Sequence, residues 1–480
     1  MLNLIPTPKK STIINNLYHK IMACIYSENN EWKTYVKTFC DMFETIFSIH
    51  LSYEKGSIEL YEDKSLQKGC YRIISDDCVR LYASDCESVL YALSSLMQLV
   101  SVNNDVITVQ SFSIEDCPDK EYRAFMIDLS RNWHPFDKLL KFVDICFLYK
   151  LKYLHLHFVD TGVYSLPSRA FPKLPSQNKH YTFEQIEYLN KYAKNKGIVL
   201  IPEYECPGHS PRLIKQYPEI FDDTLEQNIQ GEYCNEMGEI SEDKTIICAG
   251  SEKAWEATKL ILKEICDMFP DSPYINIGGD EADIKYWKHC SICCEYMNKN
   301  NLADEYELYS EYIGRVTSYI IRLGKTPIVW EGFPQKGSEK IPKETIVIAW
   351  ESLYNTADSL LAAGFKIINA SWQPLYIVPN IKIRWGTSDI LKWNVYNWQN
   401  WWEKSYAYLN PITVSPTEQV LGGMLCAWEQ TYDQEIQFVL ENLSAMSERV
   451  WNVKRVCSES DFIDKQRNLL RIAALAISDK

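Results

Sequence analysis

The chain lacks a basic surplus, a long apolar run and a phosphate-cradling glycine loop. Its 50 Lys and Arg are outnumbered by 64 Asp and Glu, for a net charge of −14 over 480 residues. Nothing in that balance supplies the basic surface that displaces counterions from a phosphate backbone, so non-specific nucleic-acid binding is excluded. No stretch approaches 18 uncharged apolar residues, so no membrane span is expected. Residues 1–10 carry no apolar core behind their basic residues, so no signal peptide is read there and the cytoplasm is the expected location. No G-x-G-x-x-G follows an apolar run, and neither a Walker loop nor a G-x-S-x-G elbow occurs, which removes the common dinucleotide, phosphoryl-transfer and serine-hydrolase readings. The sixteen cysteines are too dilute for a disulfide-stapled scaffold. Many, such as Cys146 and Cys426, lie singly in apolar runs as small hydrophobes.

What is present is an ordinary globular composition, 46% hydrophobic and 24% charged, without repeats or low-complexity tracts. Residues 1–118 are expected to form a small α+β domain. Residues 57–61, 70–74 and 79–82 alternate like strands, and 88–100 reads as an amphipathic helix. A polar segment with a central proline, 115–120, then leads into a different rhythm. Eight apolar runs follow, at 123–129, 153–159, 199–205, 274–281, 327–333, 345–351, 365–372 and 423–429. Amphipathic stretches separate most of them, and 434–451 and 460–477 read as closing helices. That alternation predicts an α/β fold, a parallel (β/α)8 TIM-type barrel over residues 119–480, with an open two-layer sheet as the alternative.

In such a barrel the active site lies at the carboxyl ends of the strands. Read in order, those ends hold Asp128, His157 with Asp160, Glu203 with Glu205, Asp280-Glu281, Trp330-Glu331, Trp350-Glu351, Trp372 and Trp428-Glu429. Acids beside tryptophans suit sugar chemistry, because an indole face stacks on a pyranose ring while carboxyls serve the hydroxyls and the glycosidic oxygen. Gly278-Gly279-Asp280-Glu281 is the sharpest element. Adjacent strand residues point to opposite faces, so two neighbouring acids share a pocket only where glycine breaks the extended backbone. His155 and His157 share one strand face and could instead bind zinc, although no second close pair exists among the eight histidines. His289-Cys290-Ser-Ile-Cys293-Cys294 looks like half a zinc site without its second C-x-x-C. Trp401 and Trp402, with Trp393 and Trp398, are read as packing a helix.

Five motifs in order carry a resemblance: Arg123-x-x-x-x-Asp128, Leu154-His-Leu-His157 with Asp160, Pro207-Gly-His209, Gly278-Gly-Asp-Glu281 and a terminal Gly-x-x-x-x-Trp428. Together they resemble family 20 of the glycoside hydrolases, the β-N-acetylhexosaminidases, over residues 60–452. The resemblance implies exo-acting, retaining, substrate-assisted release of terminal β-linked N-acetylglucosamine or N-acetylgalactosamine, without metal or organic cofactor. The implied partner is a carbohydrate rather than a nucleic acid or a membrane. Carried over by motif, Glu281 is the general acid and base, Asp280 holds the acetamido group, and Asp160 with His209 supports the acid. Arg123 is matched to the arginine that grips outer hydroxyls; Trp330, Trp350 and Trp428 to the acetamido pocket; Tyr376 to a donor to the acetamido oxygen. Three positions depart from the family pattern. Glu205 stands where Asp is common, Tyr376 lies four residues after Trp372 rather than beside it, and Gln430 replaces an acid, with Glu429 adjacent. The rivals are a non-catalytic carbohydrate-binding barrel and a metal-dependent barrel hydrolase built on His155 and His157.

Overall fold

The computed structural model describes residues 2–160, 162–222, 246–379 and 384–478, and the backbone of 233–234 and 240–241. Eight parallel strands close on themselves: β1 Tyr122–Asp128, β2 Tyr153–His157, β3 Val199–Glu203, β4 Tyr274–Asn276, β5 Thr326–Trp330, β6 Ile346–Ala349, β7 Lys366–Asn369 and β8 Val420–Ala427. Each pairs with the next, and β8 pairs with both β7 and β1, so no edge is left open. The eight apolar runs of the sequence are these strands, overrun by a few residues at their carboxyl ends, where the chain turns out of the sheet. The open-sheet alternative is thereby set aside.

The outer helices begin where side chains can satisfy their first N–H groups. They are α1 Phe136–Leu148, α2 Phe183–Asn195, α3 Glu252–Met268, α4 Ser291–Lys299, α5 Glu305–Arg322, α6 Ala357–Ala362, α7 Thr387–Lys392, α8 Tyr432–Trp451 and α9 Glu459–Ile477. Thr182 and Thr431 form capping boxes with Gln185 and Gln434, while Ser251 and Asp304 cap α3 and α5. Between β5 and β6 the chain makes only a 3-10 turn, Ser338–Lys340, so the ring of helices is incomplete there. No helix among the described residues is long and apolar enough to cross a membrane.

Ahead of the barrel, a mixed eight-stranded sheet includes Ile58–Glu62, Tyr71–Ser75 and Val79–Ala83, close to where sequence alternation put strands. It also includes Lys10–Ile21 and Val106–Asp116, which pair with each other and which the sequence reading missed. The helix Cys86–Leu99 is buried nearly all round because it lies between this sheet and the barrel. Ser94 on it donates to the carbonyl of Leu148 at the end of α1 (3.0 Å). Cys70 and Cys117 form a disulfide within this unit.

Candidate active site

After β4 the backbone leaves the sheet through three residues of positive φ: Gly278 (64°), Gly279 (89°) and Glu281 (43°). A Cβ on Gly278 would lie 1.6 Å from a Glu205 carboxylate oxygen, so only glycine fits this close approach. The turn brings Asp280 and Glu281 to one side with His209, one carboxylate oxygen of each acid and one ring nitrogen lying within 4.8 Å of one another. Asp280 presents a buried oxygen, Oδ1, that has no hydrogen-bond partner. Burial, with Glu281 and Glu203 adding to it against the pull of His209, pushes its carboxyl up to about 7.

Glu281 is held from behind by a chain of groups. Its Oε2 lies 3.3 Å from His209 Nε2, and His209 Nδ1 lies 3.0 Å from Asp160 Oδ1. Burial disfavours a charged His209 ring, yet Asp160 and Glu281 push it well above the usual imidazole range. Burial likewise works against an ionised Asp160, but Arg131, His209 and His157 hold its carboxyl well below the usual range. Arg131 is the residue the sequence reading missed. It sits three positions past the end of β1, 2.5 Å from Asp160, 3.1 Å from Asp128 and 3.8 Å from Glu429, with its guanidinium 5.3 Å over the Trp428 ring.

Aromatic rings form the other wall. Trp330 meets Trp350 edge-on at 6.1 Å and Trp428 at 5.8 Å. Tyr376 stacks on Trp350 at 5.7 Å and closes on Trp428 at 6.0 Å. Its place four residues after Trp372 is no obstacle, because the turn Trp372–Leu375 folds it back to within 5.3 Å of the Trp372 ring. Burial first, then Cys426 and Asp280, raise the Tyr376 phenol well above its usual range, so its hydroxyl stays protonated and able to donate.

A family profile described as "Glycosyl hydrolase family 20, catalytic domain" matches residues 121–454. This chain belongs to glycosyl hydrolase family 20. It is 26% identical over 382 residues to a beta-hexosaminidase of Porphyromonas gingivalis, covering 73% of this chain and 47% of that one. It is 28% identical over 349 residues to a beta-hexosaminidase of Akkermansia muciniphila, 67% of each chain. The human beta-hexosaminidase subunit beta is 25% identical over 409 residues, 82% of this chain and 68% of that one. The chain thus spans about half the length of the Porphyromonas relative. In fold it is similar to the family 20 exo beta-N-acetylglucosaminidase of Vibrio harveyi, solved with N-acetylglucosamine (TM-score 0.85, 20% identity, 98% of this chain and 77% of that one). It is also similar to the family 20 beta-N-acetylhexosaminidase of Streptomyces coelicolor (TM-score 0.78, 18% identity, 99% and 96%).

One residue carried over by motif is misplaced. Arg123 begins β1 rather than ending it, and five residues at about 3.3 Å each separate it from Asp128. Its guanidinium is wholly buried at the far end of the barrel, donating to the carbonyls of Lys150 (3.1 Å), Lys120 (2.5 Å) and Glu121 (3.2 Å). There it cannot reach a sugar in a family 20 site, and Arg131 stands at the correct end. Glu429 keeps a half-exposed carboxylate at the rim beside Arg131. Gln430 is buried, with neither atom of its amide hydrogen-bonded. Trp401 lies in a loop, with its ring edge-on against Trp372 (5.5 Å).

Two other strand-end acids, Glu331 and Glu203, are already engaged. Glu331 accepts five backbone N–H groups from Glu351 to Asn355 at 2.8–3.2 Å and so shapes the β6 loop. Glu203 lies 2.8 Å from His155 and 2.9 Å from His157 Nδ1, the latter out of line for a hydrogen bond, and also accepts from Asn276 and Trp330. Both histidines of the proposed zinc pair are therefore engaged by carboxylates.

Proposed function

We propose that the protein is an exo-acting, retaining β-N-acetylhexosaminidase that releases terminal β-linked N-acetylglucosamine or N-acetylgalactosamine with the substrate's own acetamido group as nucleophile. The observation that carries this reading is Asp280 Oδ1, a buried carboxylate oxygen without a partner beside an aromatic cage. A buried acceptor left unpaired costs about 1–3 kcal/mol, a penalty that an amide N–H entering the cage would remove. The rings of Trp330, Trp350 and Trp428 would enclose the acetamido methyl, and the Tyr376 hydroxyl would donate to the acetamido oxygen.

In the first step the acetamido oxygen attacks the anomeric carbon, the bond to the leaving oxygen breaks, and Glu281 gives that oxygen its proton. The resulting oxazolinium ion carries positive charge on nitrogen, facing the Asp280 carboxylate. This is charge that develops only in the transition state, where fixed electrostatics count most. In the second step Glu281, now ionised, takes a proton from water. The water oxygen bonds to the anomeric carbon and the ring opens, restoring the acetamide with the original configuration. Retention follows from two displacements at the anomeric carbon, the first by the acetamido oxygen and the second by water. Arg131 takes the hydroxyl-gripping role first matched to Arg123, its planar fork suited to two adjacent oxygens.

The test is a panel of nitrophenyl β-glycosides. Turnover of the two 2-acetamido sugars, with none of the 2-hydroxy sugars, supports the reading. Equal turnover of a plain β-glucoside sinks it, and no turnover of any sugar favours the non-catalytic barrel.

A further inference from the structure

Outside the sugar site, three thiols meet that are far apart in sequence. Cys248 Sγ lies 3.4 Å from Cys290 Sγ and 3.6 Å from Cys293 Sγ, and all three sulfurs fall within 4.8 Å of one another. All three residues are buried. The sulfurs are not bonded to one another, since a disulfide needs about 2.05 Å. Their spacing is close to the roughly 3.8 Å that two thiolates keep on a tetrahedral zinc with Zn–S near 2.3 Å. Cys290 and Cys293 form the C-x-x-C turn that opens α4, where Cys290 Sγ accepts the Cys293 N–H at 3.4 Å. Such a turn with a third thiol from elsewhere is a metal-binding arrangement. Among the described residues, the lone buried thiols Cys146 and Cys426 have no comparable company.

The two segments are seated against each other by other contacts. Trp287 Nε1 donates to the Ile247 carbonyl at 2.9 Å. A Cβ on Gly250 would lie 2.8 Å from the Ile292 carbonyl oxygen, so the backbones approach to a distance only glycine tolerates. Of the four residues singled out in the sequence, only Cys290 and Cys293 take part. His289 is exposed, and the Cys294 thiol donates to the carbonyls of Lys288 (3.3 Å) and Trp287 (3.7 Å).

We propose that Cys248, Cys290 and Cys293 bind one zinc ion through three thiolates, as a structural site separate from the sugar pocket, a further donor completing the tetrahedron. Each thiol loses its proton on binding. The ion ties the segment that runs on from Asp280-Glu281 to the segment ahead of α3. Ile247 in the latter donates its N–H to the carbonyl of Pro207, two residues before His209. Zinc therefore braces both loops that bring Glu281 and His209 together. The assignment does not depend on the glycosidase reading, because its test needs no substrate.

The full chain, isolated reduced and desalted, is analysed for metal, treated with a mercurial thiol reagent to release it, and reconstituted with cobalt. One zinc per chain that survives desalting, freed by the mercurial, and a cobalt form with an intense thiolate-to-metal charge-transfer band are expected. Cys248→Ser and Cys290→Ser should lose the stoichiometric metal, while Cys294→Ser and Cys146→Ser keep it. If the serine variants fail to fold, the wild-type metal content and cobalt spectrum decide alone. A chain that retains neither metal, a cobalt spectrum without the thiolate band, full metal retention by Cys248→Ser, or a disulfide between any two of the three thiols would overturn the assignment.

Discussion

The two ends of this barrel are built from similar residues to opposite purposes. At the end facing the N-terminal sheet, charged groups are buried and paired. Arg123 donates to three carbonyls and lies over the Trp451 ring at 5.3 Å. Lys150 donates to Tyr71 (2.7 Å), and Asp116 accepts from Tyr71 (2.6 Å) and Trp451 (2.9 Å). At the carboxyl end, Asp280 Oδ1, Glu205 Oε2, the Gln430 amide and Trp428 Nε1 are buried without partners. His209, Glu281, Ser352 and Glu429 there adopt left-handed backbone at φ of 43–58°, a strain of order 1–3 kcal/mol each. At one end the buried charges are paired, and they hold two units together. The other is left unsatisfied, and a ligand with the complementary groups relieves it. Substitutions should therefore cost stability at the first end and activity at the second.

The largest effect is expected from Glu281→Gln. The amide keeps the shape but cannot protonate the leaving oxygen, so turnover of a disaccharide should fall roughly 100- to 10,000-fold with Tm unchanged. Nitrophenyl substrates, whose leaving groups need less help, should suffer less in the first step. Wild-type rates on the disaccharide would remove Glu281 from the chemistry.

The two arginines of the β1 region break or sharpen the comparison directly. Arg131→Lys should weaken kcat/KM by about 10- to 100-fold, since each charged hydrogen bond that the ammonium cannot reproduce is worth about 1.5–3 kcal/mol. Arg123→Lys should leave kcat/KM near wild type and lower unfolding stability by a similar amount, read from denaturant midpoints. If the two outcomes were exchanged, the sugar site would lie at the wrong end of the strand.

Asp280→Asn should also shift stability, by a small amount whose sign is diagnostic. With a folded value near 7 against about 3.9 when unfolded, the native state binds a proton the unfolded chain has lost between those pH values. Wild-type stability therefore falls as pH rises from 4 to 7, and the cost is complete above that. The asparagine variant should be more stable than wild type at pH 8, by on the order of 1–2 kcal/mol once partial solvent access is discounted. The two should converge near pH 4. Equal melting curves at both pH values would mean that Asp280 is not strained.

The barrel and most of its carboxyl end were legible because period, apolar runs and the glycine pair are local signals. Arg123 was misassigned because β1 is flanked by an arginine near each end, and a linear motif does not show which end faces the site. Arg131 follows Asp128 by three residues, and the strand-end criterion that picked out Asp128 would have found it. Cys248 was missed as a partner of Cys290 because 42 residues separate them, a contact made by the fold and not by spacing. The strand Lys10–Ile21 escaped because most of its residues are exposed, which leaves no alternation to read.

The most direct test is the binding of a thiazoline analogue of the bicyclic intermediate to wild type and to Asp280→Asn, alongside the product sugar. If Asp280 holds the amide nitrogen of a self-attacking substrate, the thiazoline binds wild type far more tightly than the product does, as a mimic of the charged intermediate should. Asp280→Asn then loses most of that advantage while still binding the product. A thiazoline that binds wild type no better than the free sugar, or one whose advantage survives in Asp280→Asn, would contradict substrate-assisted catalysis at this site.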